Sequence, residues 1–174
     1  MNGADGHQAG FPLEQEREFF YGKYRGVVTD VDAVTCRIKA MVPAVLGDAQ
    51  TGWCMPCVPY AGLQRGIAFL PEQDSGVWIE FEGGDVSYPI WAGCYWRDGE
   101  PPEGVAADVK VIVTANGLRL VLNDAGPSIT ISDPSGNTVT LNEAGITLSK
   151  AAQQVVIGDA SVSINDGALV VEAG

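Results

Sequence analysis

The 174-residue sequence lacks several features on which common protein functions depend. Its single histidine, His7, leaves almost no base for a serine or cysteine nucleophile. No apolar run approaches the roughly 18 residues that a bilayer span requires. The N-terminus also lacks the basic and apolar regions of a signal peptide. We therefore expect no signal peptide and no transmembrane segment.

Basic side chains are scarce as well. The chain has 10 basic and 22 acidic residues, a net charge of -12, and the basic residues are scattered. Such a surface repels a phosphate backbone, so we expect no nucleic-acid partner. With 46% hydrophobic residues the chain has enough apolar material for a core, and its length allows one ordinary domain or two small ones.

Aromatic residues, cysteines and methionines are all missing after residue 96. The polar stretch that follows, residues 97–104, contains paired prolines that oppose both helix and sheet. Near the N-terminus, the charged run at residues 14–18 is either a helical turn or a solvated tail that orders only against a partner. We predict an N-terminal arm at residues 1–19, a first domain at 20–96, a linker at 97–107 and a second domain at 108–174.

The first domain has the periodicity of short β-strands. In residues 36–42, basic side chains at 37 and 39 alternate with apolar ones. Five or six such runs in about 75 residues, without an amphipathic helix, predict a small closed barrel. The runs are Tyr24–Asp32, Cys36–Val42, Gly52–Tyr60, Gly66–Leu70, Gly76–Glu82 and Tyr88–Trp96.

The second domain is repetitive without an exact repeat. Apolar residues two positions apart recur with turn-forming residues between most of the pairs, so each unit is one short strand and one tight turn. The pairs are Leu118 with Leu120, Ile129 with Ile131, Val139 with Leu141, Ile146 with Leu148, Val155 with Ile157, Val162 with Ile164, and Leu169 with Val171.

A stack of such hairpins from one chain would leave an apolar face in water, so another copy has to cover it. Small and β-branched side chains suit a narrow interior between three close walls. We therefore predict an intertwined or side-by-side oligomeric β-prism, most economically a trimer. The alternative is a single-chain β-solenoid, which the irregular spacing of only seven units disfavours.

Several segments of the first domain carry a further, ordered pattern: Phe20–Asp30, Arg37–Pro43, Thr51–Cys54 with Pro59–Gly62, Gly76–Gly84 and Tyr88–Trp96. In this order they resemble the OB-fold domain of baseplate spike proteins of contractile phage tails and related injection systems, the baseplate assembly protein V class. The following repeat resembles the trimeric β-helical needle of those spikes.

The resemblance implies an all-β protein, with an N-terminal OB-fold barrel and a C-terminal intertwined trimeric needle. It implies a homotrimeric structural spike in a virion or extracellular contractile particle, assembled in the bacterial cytoplasm. Sheath contraction would drive the needle through the target envelope, so the membrane is contacted mechanically. The partners implied are a baseplate hub or tube protein, which must be another chain.

The end of the needle departs from the family pattern. Many phage spikes end in His-x-His pairs that hold a metal ion, whereas the only histidine here is His7. We therefore expect no metal at the tip. We predict instead that a separate tip protein binds the apolar end formed by Leu169, Val171 and Gly174. Three such ends, if left exposed, would be prone to non-specific association.

The spacing of the cysteines is compatible with a metal or redox site. Cys54-Met-Pro-Cys57 has the spacing of a zinc or redox pair, with Cys36 and Cys94 as further ligands. Residues three apart in a strand point to opposite faces, so the pair converges only if Pro56 makes a turn. We favour buried, reduced, structural thiols and expect no metal and no cofactor.

Two further groups of residues have functional alternatives. Glu80 and Glu82 are either a glycosidase-type pair or the solvated side of a strand, and we favour the strand. Residues 83–85 predict a hairpin turn. The aromatic residues are a stacking platform for a ligand, or core and subunit contacts, and we favour the latter. These aromatic residues are Trp78, Tyr88, Trp91, Tyr95 and Trp96.

We therefore expect no enzyme activity and keep two function hypotheses. The first is the contractile-tail spike. The second is an OB-fold binding module for a glycan or a protein ligand, with the β-repeat as its stalk.

Overall fold

The computed structural model describes residues 18–172, which form two compact units that divide between Arg97 and Asp98. Nearly all of the regular structure is β, so the predicted fold class is confirmed. The strands are β1 (Tyr24–Asp32), β2 (Arg37–Met41), β3 (Met55–Pro56), β4 (Ala61–Gly62), β5 (Arg65–Gly66), β6 (Gly76–Phe81), β7 (Pro89–Cys94), β8 (Val109–Val113), β9 (Arg119–Asn123), β10 (Ser128–Ser132), β11 (Asn137–Asn142), β12 (Gly145–Lys150), β13 (Gln153–Ile157), β14 (Ser161–Ile164) and β15 (Leu169–Glu172). The helical pieces are one turn, α1 (Pro43–Leu46), and a 3₁₀ turn at Glu82–Gly84.

The first unit is a curled sheet with strand order β2-β1-β6-β7-β3. Strand β3 runs parallel to β7, and the residues before it bridge back to β2 through Ile38 opposite Cys54 and Met41 opposite Gln50. These bridges join the two ends of the strand order, so the sheet closes on itself as an OB barrel does.

Strict alternation along the strands fills the interior of the barrel. In β2, Ile38 and Ala40 are fully buried, while the basic residues between them point outwards, as predicted. In β6, Glu80 lies on the outer face and accepts a hydrogen bond from the Lys23 Nζ. The buried apolar residues are Val28, Ile38, Ala40, Val42, Cys54, Val77, Ile79, Phe81 and Trp91.

The segment between β3 and β6 differs from the sequence prediction. The runs predicted at Gly52–Tyr60 and Gly66–Leu70 are not continuous strands: β3 has two residues, and β4 and β5 form a short separate hairpin. Prolines at 56 and 59 cannot donate ladder hydrogen bonds, which explains the short β3. The turn α1, with Pro43 at its start, was not predicted.

The second unit is one antiparallel sheet of eight strands, β8 to β15, in which every strand pairs with its neighbours in sequence. All seven predicted pairs lie in these strands, except that Leu118 precedes β9 by one residue. Strand β8 is an eighth element that the pair pattern did not include.

Candidate functional site

The C-terminal sheet carries two unbroken rows of aliphatic side chains on one face. Because the strands pair in register, each residue of a row lies directly opposite the next one on the neighbouring strand. The first row is Ile112, Leu120, Ile131, Val139, Leu148, Val155, Ile164 and Leu169. The second row is Leu122, Ile129, Leu141, Ile146, Ile157, Val162 and Val171, with Lys110 at its β8 end.

Nothing in the described part of this unit covers the two rows. None of residues 98–172 is buried, and even Leu148, in the middle of the first row, is 43% exposed. Ile131 is 52% exposed and Ile157 is 41% exposed. A contiguous apolar face of this kind marks an interaction surface in a soluble protein.

The opposite face of the sheet is different in chemistry. Its central row contains three adjacent threonines, Thr130, Thr140 and Thr147. Beside this row the hydroxyls of Thr138 and Ser149 lie 2.6 Å apart and form a hydrogen bond across β11 and β12. The same central row continues into valines, with Val121 next to Thr130 and Val156 next to Thr147. This face therefore mixes hydroxyl and small apolar side chains and is more polar than the face that carries the two aliphatic rows.

Tight turns with polar caps hold the strands in register. At the β10–β11 turn the Asp133 carboxylate accepts hydrogen bonds from the backbone N–H groups of Ser135 and Asn137, both at 2.9 Å, and from the Asn137 side chain at 2.6 Å. The side-chain bond from Asn137 is the main reason that the pKa of Asp133 lies below its ordinary value. Asn123 and Asn142 cap two other turns in the same way.

The predicted tip residues lie on the last described strand. Leu169 and Val171 of β15 are 55% and 60% exposed, and β15 pairs only with β14. Their side chains continue the two apolar rows to the edge of the sheet. Gly174 lies outside the described residues, as do His7 and most of the N-terminal arm.

The four cysteines lie in different environments. Cys54 is buried, with its Sγ 3.2 Å from the Thr51 hydroxyl, and burial raises the pKa of its thiol. Cys57 and Cys94 are exposed, so the expectation of buried thiols is wrong for these two. Cys54 and Cys57 flank the two-residue strand β3, with Cys54 in the core and Cys57 at the surface. Among residues 18–172, no three His, Cys, Asp or Glu side chains are grouped to hold a metal ion.

The barrel aromatics fall into different environments. Trp91 is buried, and its Nε1 donates to the Cys36 carbonyl oxygen at 3.4 Å. Trp78 and Tyr95 form a tilted pair with centroids 5.2 Å apart on the outer face. Trp96 is 65% exposed. They therefore do not form one stacking platform.

The predicted hairpin turn at residues 83–85 is confirmed. It joins β6 to the antiparallel β7, and Gly83 and Gly84 have φ values of 60° and 82°. Phe20 is hydrogen-bonded to this turn, its N–H donating to the Gly84 carbonyl at 2.8 Å.

Two family models match the chain in order. Residues 24–96 match the type VI secretion system/phage-baseplate injector OB domain, and residues 110–170 match the phage baseplate V C-terminal trimerisation domain. The first match coincides with the barrel and the second with the eight-stranded sheet. The chain therefore belongs to the baseplate spike protein class, whose role is structural. No curated protein matches the chain.

The family and the geometry agree on the C-terminal sheet. A trimerisation domain needs a surface that other copies can cover, and the two aliphatic rows are an exposed apolar surface of that kind. No helix within residues 18–172 is long and apolar enough to cross a membrane.

Proposed function

We propose that three copies of the chain assemble through their C-terminal sheets into a triangular β-prism with the aliphatic rows inside. The observation that carries this proposal is that one row runs across all eight strands, the other across seven, and both are uncovered in a single chain. Strands stacked at about 4.8 Å would give a prism roughly 34 Å long. The sheets would wind about the common axis because β-sheets twist.

This prism would act as the needle of a contractile-tail spike that pierces the target envelope when the sheath contracts. The continuous hydrogen-bonded ladder and the short turns support that role, because they leave few places at which the needle could bend. The three barrels would sit at the end of the inner tube and bind the baseplate hub or tube protein. The role needs no chemical step from the protein.

The far end of the needle would bind a separate tip protein. Leu169 and Val171 support this, since they are exposed on a strand with one free edge. Three such edges around an axis would present an apolar ring to a partner. Replacing both residues by serine would then remove any extra density beyond the needle end in intact particles, and particles that never show such density would contradict the proposal.

The spike role is tested in assembled particles from a producing bacterium. The chain would be supplied as wild type, as Leu148→Asp, or as the control Thr147→Asp on the opposite face of the same strand. We expect wild-type and Thr147→Asp particles to carry the spike and to permeabilise target cells, and Leu148→Asp particles to lack both properties. Complete, active particles that contain none of this protein would contradict the proposal.

A further inference from the structure

The barrel has an apolar groove that is separate from the assembly surface of the C-terminal sheet. It has a volume of about 420 Å³ and lies between β7 and the segment that connects β3 to β6. The side chains of Trp91, Cys36 and Phe69 line it. A concave apolar site of this kind usually has an occupant.

Large apolar side chains also surround the groove on the protein surface. Phe69 is 65% exposed, and Leu63, at the tip of the β4–β5 hairpin, is 89% exposed. Two further exposed residues, Trp53 before β3 and Met55 at its start, precede the lining residue Pro56 in sequence and are 42% and 52% exposed. Tyr60 and Ile67 in the groove wall are half-exposed. So many exposed large apolar side chains in one region form a patch, whereas single exposed apolar residues are normal on a protein surface.

One basic side chain, Arg65, lines the groove of this strongly acidic chain. Two more lie on the outer side of β2: the Lys39 Nζ is 4.8 Å from the Trp53 ring centroid, and the Arg37 guanidinium contacts the Met55 sulfur at 4.0 Å. Arg37 also interacts electrostatically with Asp32, its partner on β1. Within residues 18–172, Arg65 forms no ion pair with a carboxylate. An apolar ligand that carries negative charge therefore matches this surface.

The chain has one segment of that chemistry outside the described residues. Residues 11–17 read Phe-Pro-Leu-Glu-Gln-Glu-Arg and are followed by Glu18, so two large apolar side chains precede three glutamates and one arginine. The segment ends where Phe20 bonds to the β6–β7 turn. Trp91, in the groove wall, is two residues along β7 from Pro89, which pairs with the last residue of β6.

The eight steps along the chain from Phe11 to Phe19 span up to about 26 Å when extended. The segment is therefore long enough to run across the barrel surface from the β6–β7 turn. We propose that Phe11 and Leu13 of the N-terminal segment occupy the groove of their own barrel. The glutamates that follow them lie against Arg65 and the cations of β2. The segment thereby covers an apolar surface that would otherwise be prone to non-specific association.

The test uses the full chain and a native thiol. Because Cys36 lines the groove, Leu13→Cys should form a disulfide with Cys36 when diamide is added as the oxidant. Peptide mapping would locate the bond, and the double variant Leu13→Cys/Cys36→Ser is the matched control. We expect a bond between positions 13 and 36 within one chain. A bond to Cys57 or Cys94 only, or a ladder of cross-linked chains, would overturn the proposal.

A second measurement does not depend on disulfide geometry. A synthetic peptide of residues 8–18 is titrated into the protein that lacks residues 1–17, with tryptophan fluorescence as the readout. We expect the peptide to bind this variant but not the full chain, and Arg65→Glu to weaken binding about tenfold. Equal binding to both proteins, or no binding to the truncated protein, would overturn the proposal. These results do not depend on trimerisation, so they can fail while the spike assignment stands.

Discussion

The assembly surface predicts the effect of a charge in the middle of the aliphatic rows. Leu148 lies in the first row between Val139 and Val155 on the neighbouring strands. The adjacent Thr147 lies on the same strand but points to the other face. Leu148→Asp and Thr147→Asp therefore place the same side chain one residue apart, inside and outside the proposed prism.

The size of the effect follows from how much of Leu148 remains exposed. Burying a whole leucine side chain stabilises by about 1.5–3 kcal/mol. The 43% that is exposed in one chain is therefore worth roughly 1 kcal/mol per copy when the trimer forms. Leu148→Ala should then cost about 3 kcal/mol in a trimer, or roughly a hundredfold in its formation constant. Leu148→Asp adds the burial of three carboxylates at several kcal/mol each, so no trimer should form.

Sedimentation velocity over a concentration series measures this directly. We expect trimers for wild type and Thr147→Asp, a shift towards single chains on dilution for Leu148→Ala, and single or aggregated chains for Leu148→Asp. The reasoning would be refuted if Leu148→Asp formed trimers as stable as those of Thr147→Asp, because the aliphatic rows would then not be the assembly surface.

Three further predictions concern the barrel, a turn and the thiols. Ile38→Ala, at a fully buried position, should lower the free energy of unfolding of the barrel by about 2–5 kcal/mol and leave the trimer mass unchanged; denaturant unfolding followed by tryptophan fluorescence checks this, and a loss of trimer would contradict it. Asp133→Ala should lower the melting temperature at pH 7, because the lowered pKa of Asp133 gives stability that is present above its ordinary value of 3.8 and is lost as the pH falls further. A melting difference from wild type that persists below that range would be against this account. Alkylation at pH 8 should modify Cys57 before Cys54, since Cys54 is buried with a raised pKa; equal rates in the folded protein would refute the burial.

The sequence was most informative where periodicity and packing agree. Strand β1 has the predicted bounds, Tyr24–Asp32, and six of the seven apolar pairs of the second domain fall in one register on one face, while Leu118 of the first pair lies outside β9. A period of two fixes which side chains share a face, so the apolar face could be predicted without the structure. The need for other copies followed from that face alone.

Prediction failed where chain connectivity, and not periodicity, decides the structure. Residues 57–70 contain apolar side chains in a strand-like pattern, yet prolines and the turn at Leu63 and Gln64 produce a short hairpin beside a groove. The exposure of Cys57 follows from the same loop, since a thiol at its start cannot reach the core. The positions of Cys36 and Arg65 in the groove wall depend on barrel closure, which no local pattern encodes.

The mass of the purified wild-type protein in solution tests the central claim most directly. Light scattering after gel filtration should give three chains of 18.3 kDa, about 55 kDa, and the value should persist on dilution. A stable, folded single chain of 18.3 kDa would contradict the account, because the two aliphatic rows would then have to be covered by the chain itself.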